Sequence, residues 1–434
     1  MSGAEGVSEW NLMVSTLPAY RPPSAPGNHR LPQSVYWRRR ALVALVSVSV
    51  AFVLYLGGTL AFALNNPTYG VSYMARAAEW GRSHGMGSVI TWLETEYYKL
   101  NPPKVGGKPP ASAFGHGPTR VTVPAAGHLP EPARIPTPAA HPLPGEGVWH
   151  VAGRTTANGI PTIYEAFVRP NNINTSYVVG VAWMDPTLLR AQLYSGSYIP
   201  GGYHFSHSAP ITAAASKTLV AAFNAGFRMQ DANGGYYTDG RTILPLRNGA
   251  ASVVIFKDGT MTLGAWGTKG FTMNNQVASV RQNLRLLVND GKPVPGLANP
   301  NSIAWGKTLG GTFSVWRSGL GVTKDGAIIY VGGPALSIQD LANVLVRAGA
   351  VRAMELDINT DWVQYSVFNG ALNSPINGGN GTKLLSAMNG PPSRYFATWW
   401  NRDFYTMSLR PAYATTSGTT SSSTTTTSKL TPAG

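Results

Sequence analysis

SIQDLANVLVRAGAVRAMELDIN, residues 337–359, reads as a capped helix running into a strand that ends in acids. Ser337 stands at the N-cap, with Asp340 where a capping box takes its acid. Leu341, Val344, Leu345 and Ala348 recur on one face, and Gly349 supplies the stop. A helix is therefore predicted over 338–348 and a strand over 351–357. Side chains alternate along a strand, so Met354, Leu356 and Ile358 are expected on one face and Glu355, Asp357 and Asn359 on the other. The two carboxylates then lie about 7 Å apart. As anions they repel, so at least one pKa is expected to rise, a setting suited to general acid–base work at a sugar acetal. The alternative is an exposed polar face. Acids make up only 19 of 434 residues, and two on one short apolar strand favour a site.

Outward from this segment, short alternating apolar runs separated by turn residues predict further strands at 148–151, 163–168, 177–182, 219–224, 252–256, 284–288 and 328–331. Lys257-Asp258-Gly259-Thr260 and Asn289-Asp290-Gly291-Lys292 read as hairpin turns. Short helices are expected at Thr212–Lys217 and Val277–Asn283. The body, 147–412, is thus expected to be α+β, built on one core around a mixed, mostly antiparallel sheet with few helices and no internal repeat.

Before the body comes ALVALVSVSVAFVLYLGGTLAFAL, residues 41–64, without a charge. A bilayer core needs about 20 such residues, and a cleaved signal would be shorter and would not follow a polar stretch of 40 residues. Arg30, Arg38, Arg39 and Arg40 precede the span, and no Lys or Arg follows until Arg76. Basic flanks stay inside, so the expectation is a single-pass cell-membrane protein with a cytoplasmic N-terminus and an extracytoplasmic C-terminal domain. Residues 1–40 and 413–434 read as disordered tails. Residues 65–100 read as a juxtamembrane helical segment, broken near Gly85 and Gly87 and serving as a stalk or packing element at the membrane surface. The Pro/Gly-rich stretch 101–146 reads as a semi-rigid spacer.

The chain has no cysteine, a net charge of +15 and only 12% charged residues. The basic residues are scattered rather than clustered, which argues against nucleic acid and leaves anionic envelope polymers or phospholipid surfaces as partners.

Two more clusters carry chemistry. In AAFNAGFR, residues 221–228, a strand ending in Asn-x-Gly presents Asn224 at a tight turn, and Gly226 lets a ligand approach the backbone. Arg228, Arg241 and Arg317 are candidate phosphate contacts, although ordinary surface arginines would look the same. His204 and His207 could face a metal, but no third ligand accompanies them, so no metal and no cofactor is expected.

FNAGF (223–227), RSGLGVTKDG (317–326), LSIQDLANVLVRAGAVRA (336–353) and ELDIN (355–359), in this order, resemble the phosphodiester glycosidase family, whose domain occurs in the enzyme that uncovers mannose-phosphate tags and in many bacterial envelope proteins. The resemblance implies hydrolysis of a sugar-1-phosphodiester, with Asn224, Arg317 and Asp357 on motif positions. The family's acidic motif usually continues as a glycine-rich run, whereas Ile358-Asn359-Thr360-Asp361 follows here, and Ala225 stands where glycine is usual. The chain looks like a bacterial membrane-anchored branch with its own pocket. The expected function is hydrolysis of a glycosyl phosphodiester in cell-envelope glycan or lipid-linked sugar. Asp357 and Glu355 are the expected catalytic acids, and Asn224, Gly226, Arg228, Arg241, Arg317 and Asn359 the expected substrate contacts. The alternative is a non-catalytic glycan-binding module that kept the fold, with Trp305, Trp316, Trp362, Trp399 and Trp400 as stacking platforms.

Overall fold

The structure is a computed structural model that describes residues 32–115, 127–202, 204–299, 302, 304–306, 313–397 and 402–415. Of the tails predicted at 1–40 and 413–434, residues 1–31 and 416–434 lie outside the described residues, as do Trp399 and Trp400, while 33–40 belong to a helix that continues into the apolar stretch and 413–414 end a short helix. The chain forms two compact units, Met1–Ala61 and Phe62–Gly434.

The first unit holds most of helix α1, Gln33–Asn65. It is long and apolar enough to span a membrane and is not buried against protein.

In the second unit, α2 (Tyr73–Ser83) is capped by Ser72, and α3 (Gly87–Leu100) follows it. Gly85, at φ 81°, makes the break between them, as the glycines predicted. The short helices α4 (Ala213–Ser216) and α5 (Met229–Ala232) precede α6 (Ile338–Arg347), and α7 (Pro411–Ala414) follows it. The capping box at Ser337 and Asp340 is formed.

The single expected sheet is three. The largest runs in the order His150–Ala152, Ile163–Val168, Val179–Met184, Ile328–Leu336, Val315–Thr323, Ala350–Ile358, Leu286–Asn289, Lys292–Pro293. Two five-stranded sheets complete the body, and every ladder between named strands is antiparallel. Among the described residues the parallel pairings are two isolated bridges, so "mostly antiparallel" holds. Val277–Gln282 is a strand paired to 252–256, not the predicted helix. Val277, Ser279, Val280, Arg281 and Gln282 each take a partner on 252–256, and this cross-strand pairing overrides the weak helical period.

The single expected core also divides. One cluster gathers Phe223, Tyr236, Leu320, Val322, Tyr330, Met354, Leu356, Tyr365 and Tyr405. A second packs Ile338, Leu341, Val344 and Leu345 of α6 against Ile329, Val331, Leu336 and Ala353 of the large sheet, and two smaller clusters form around Phe404 and around Trp266. The strand Val315–Thr323 lies between the two large clusters. Leu320 and Val322 face the first cluster, while Gly319 lets the helix sit close, since a Cβ there would meet Leu345 Cδ1 at 3.0 Å. Ile358 leaves the face assigned to it and packs with the second cluster, because the backbone turns at Asn359 (φ 65°).

Residues 101–115 and 127–146 run along the body rather than standing off as a spacer. Ile135 and Phe114 are buried, Trp149 Nε1 donates to Ala133 O at 2.8 Å, and Asn174 Nδ2 donates to Lys104 O at 2.9 Å. Glu146 is buried and receives Arg169 Nε at 3.0 Å and Nη2 at 2.8 Å. These bonds hold its carboxyl below the usual range against the opposing effect of burial. Removing one partner of such a pair leaves an uncompensated buried charge and costs about 3–5 kcal/mol. Glu146→Ala is therefore expected to lower the thermal midpoint of the detergent-solubilised chain by several degrees and to open residues 127–146 to protease. An unchanged midpoint would show that this segment does not pack as described.

Candidate active site

The end of the strand Ala350–Ile358 is held by a relay of neutral hydrogen bonds. Asp357 N donates to Ser318 Oγ at 3.1 Å, and Ser318 Oγ donates to Asp357 O at 3.0 Å. Asn224 Nδ2 donates to Ser318 Oγ at 3.0 Å, while Asn224 Oδ1 accepts from Tyr330 Oη at 2.9 Å and Gln364 N at 3.0 Å. Asn224 thus spends its amide on positioning the acid strand. Gly226 is needed for packing, since a Cβ there would meet Asn283 at 2.8 Å and Arg281 Nη1 at 2.9 Å.

The two expected acids part company. Glu355 is fully buried and takes Arg317 Nη1 at 2.6 Å, while Arg317 Nε donates to Leu336 O at 2.9 Å. Burial raises the Glu355 pKa, and the guanidinium opposes it. Neither residue lines a cavity with Asp357, because the pair is sealed beneath α6. Arg241 is exposed on the strand Arg241–Leu244, where it reaches His204 O at 3.4 Å, away from Asp357.

Asp357, Ile358, Asn359, Phe227, Arg228, Asp231, Gly306, Trp362 and Arg402 line a cavity of about 60 Å³ together with Glu79 and Arg82 of α2 and Glu94 and Tyr98 of α3. Helices α2 and α3 therefore wall the cavity, which adds a lining role to the stalk or packing element expected of residues 65–100. Arg402 bridges two carboxylates, with Nη2 2.8 Å from Glu79 Oε1 and Nη1 3.3 Å from Asp357 Oδ2. Its guanidinium lies 3.9 Å from the Trp362 ring centre, a cation–π contact worth more in a dry site. Arg228 Nη1 lies 3.5 Å from Glu79 Oε2, and its Nη2 donates to Tyr198 Oη at 3.2 Å. Arg228 Nε and Nη1 and Arg402 Nε are buried without hydrogen-bond partners, so both guanidiniums keep donors to spare.

Burial pushes the Asp357 carboxyl up to about 7. Arg402 and the Ile358 amide pull it down, and Glu79 pushes it up. Burial and the Glu94 carboxylate raise the Tyr98 phenol to about 12, keeping it a neutral donor. Of the other candidates, Asn359 lines the cavity and accepts from Asp361 N at 3.0 Å. Trp305 is buried in the α6 cluster, and Trp316 packs half-buried on the aromatic one. His207 is 2.9 Å from Gln192 Nε2 and lines a separate polar cavity of about 480 Å³, whose acids Asp239 and Asp258 are exposed. Among the described residues no group of three His, Asp or Glu is arranged to hold a metal.

Trp362, expected as a stacking platform, does line the cavity, whereas Glu79, Arg82, Glu94, Tyr98 and Arg402 had no local signal. Arg402 and Glu79 meet across 323 residues, a contact no local pattern announces. The one available hint is Glu79 itself, an acid on a helix otherwise rich in small and apolar residues.

An antiparallel α+β body that sets a buried, proton-exchanging carboxylate beside guanidiniums has the equipment of a hydrolase-type fold. The family model for phosphodiester glycosidase matches residues 217–380, where the sequence motifs pointed. That stretch includes Asn224, Arg228, Arg317 and Asp357, while Glu79, Tyr98 and Arg402 lie outside it. Among solved structures, the chain is similar to the catalytic domain of zebrafish N-acetylglucosamine-1-phosphodiester alpha-N-acetylglucosaminidase, auto-inhibited by its pro-peptide. The two are 15% identical, with a TM-score of 0.37 over 59% of this chain and 87% of that one. A Synechocystis protein described as hypothetical is 16% identical, with a TM-score of 0.32 over 59% of this chain and 63% of that one. A search of curated proteins gave no match.

Asp357 is protonated in the folded chain up to about pH 7 and, unfolded, only to about pH 4. The folded state therefore binds the extra proton between these values, and stability falls as pH rises through that window. Asp357→Asn is expected to flatten this slope in thermal midpoints taken from pH 4 to 8. Glu79→Gln removes a charge that raises Asp357 and frees Arg402 for it, so the upper edge of the window should move to lower pH. A wild-type midpoint flat across the window would refute the protonated Asp357.

Proposed function

We propose that the cavity hydrolyses a glycosyl phosphodiester. The observation that carries this reading is Asp357, buried beside Arg402 and Arg228 within a phosphodiester glycosidase domain. A phosphodiester takes the guanidiniums that Glu79 now holds, using the spare donors of Arg228 and Arg402. Water attacks the anomeric carbon, the bond from that carbon to the phosphate oxygen breaks, and a phosphate monoester leaves. Asp357, as carboxylate, takes the proton from the attacking water. The leaving group departs as an anion, so it needs charge stabilisation from the arginines more than a proton. Asn224 and Ser318 hold the Asp357 backbone, and the ion pair of Arg317 and Glu355 fixes the strand behind it.

The anchor is α1, which crosses the cell membrane once, with the N-terminus cytoplasmic and the glycosidase-like domain outside. The partners are cell-envelope glycans or sugar phosphates. The competing reading, a glycan-binding module that kept the fold, draws on two observations: Glu79 already fills the seat between the arginines, and the cavity is small.

The test is turnover of a panel of sugar-1-phosphodiesters by the full chain in detergent, with phosphate monoester and free sugar read out. Activity should rise with pH through about 7, as a base of that pKa requires. Asp357→Asn should lower kcat by about 10²–10⁴-fold. Arg402→Ala should lower it by about 10²–10³-fold. Binding of envelope glycan without turnover, unaffected by Asp357→Asn, would decide for the binding module.

A further inference from the structure

Helix α3 is turned inside out for a soluble domain. Its polar side, with Glu94 and Tyr98, lines the cavity, and Glu94 pairs with Arg82 of α2. Its other side carries Val89, Trp92, Leu93, Tyr97 and Leu100, each 50–80% exposed, and Tyr73 and Met74 extend the exposure onto α2. A helix at the surface of a globular domain puts its apolar stripe on the core, and a contiguous apolar patch left outside marks a partner or a membrane.

We propose that this outer face of α3 lies in the bilayer interface, and that the cavity behind it takes a lipid-carried glycosyl phosphodiester. The substrate half rests on the hydrolase reading above. Three observations choose lipid over a protein partner. The chain enters α2 only seven residues after the end of α1, which is long and apolar enough to span a membrane, and seven residues reach at most about 25 Å. Arg76 of α2 donates Nη1 to Leu64 O at 2.7 Å and Nη2 to Val71 O at 3.3 Å, which draws α2 onto the last turn of α1. The exposed ring residues are Trp92, Tyr97 and Tyr73, the aromatic types that settle at headgroup depth. Ile90 packs on Gly81, where a Cβ would meet it at 3.1 Å, so α2 and α3 form one close hairpin. One helix thus has its aromatic face toward lipid and its polar face toward the site. A substrate held in the bilayer by its lipid presents its phosphodiester one helix thickness away.

The chain lacks cysteine, so single labels are unambiguous. Full-length Leu93→Cys carrying an environment-sensitive fluorophore would be reconstituted in phosphatidylcholine–phosphatidylglycerol vesicles, with Lys217→Cys on the body as the comparison. Spin label placed near the lipid headgroup is expected to quench the Leu93 probe and not the Lys217 probe. An unquenched Leu93 probe, as a second copy or a protein covering the face would give, overturns the proposal. Turnover is then compared for a polyprenyl-linked sugar phosphodiester in the vesicles and a soluble methyl diester of the same sugar phosphate. Wild type should prefer the lipid-carried form by about tenfold or more, and the triple variant Val89→Ser, Trp92→Ser, Leu93→Ser should lose that preference while keeping the soluble rate. Equal turnover of both forms by wild type overturns the substrate half. No hydrolysis of either, with Leu93 quenched, overturns the hydrolase reading and leaves the membrane seat of α3 standing.

Discussion

The grip of Arg402 on two carboxylates ties the folded unit together. Its guanidinium meets Glu79 and Asp357 while stacked on Trp362, and Arg228 extends the chain from the other oxygen of Glu79. Two acids and two bases are thereby sealed in one place. A single missing member would leave a buried charge uncompensated, at a cost of several kcal/mol. The fold can meet this constraint only by bringing four distant parts of the chain to one point: α2, the turn after Asn224, the strand Ala350–Ile358 and the segment leading into Phe404. Ser72 adds to the tie, donating its amide to Asp361 Oδ1 at 3.2 Å and its hydroxyl to Oδ2 at 3.1 Å. Packing and site assembly are here the same event.

Other buried arginines show the contrast between structural and chemical charge. Arg281 gives Nε to Asp403 at 2.9 Å and Nη1 to Gln282 O at 2.6 Å, and its remaining nitrogen reaches Phe227 O. Arg317 is likewise spent on Glu355, Leu336 O and Phe313 O. Both are bound by fixed protein acceptors at the seams between elements. Arg228 and Arg402 keep unpartnered nitrogens and line the cavity. Of the arginines compared, those two fit a role in binding an anion, and they differ from the others in geometry rather than in residue type.

That difference explains what was legible in the sequence. The capped helix, the strand after it and both hairpin turns are local patterns, carried by residues a few positions apart, and they emerged as read, while the apolar stretch emerged as one long helix. The faces of Met354, Leu356 and Asp357 followed from the two-residue period alone. Ile358 escaped that period because the strand ends there, and Val277–Gln282 escaped because its partner strand, not its own periodicity, decides its state. Arg317 looked like an anion contact because a motif names a position without saying whether the side chain ends at an acid or at open space. Glu79 and Arg402 were invisible for the reason that makes them central, since their significance exists only in each other's presence.

The replacement of a glycine-rich run by Ile358-Asn359 takes a different meaning once the backbone is seen. The turn after the acid strand does need a left-handed residue, and Asn359 supplies it at φ 65°, a conformation asparagine adopts more readily than most side chains. Its Oδ1 then takes the Asp361 amide, so the turn is closed without glycine. What glycine would have given, and isoleucine removes, is space. Ile358 packs into the α6 cluster while also lining the cavity, which narrows the approach to Asp357 from the sheet side. The approach is walled on the opposite side by α2 and α3. The cavity is thus bounded by Ile358 on one side and the α2–α3 hairpin on the other, while the backbone that presents Asp357 stays intact.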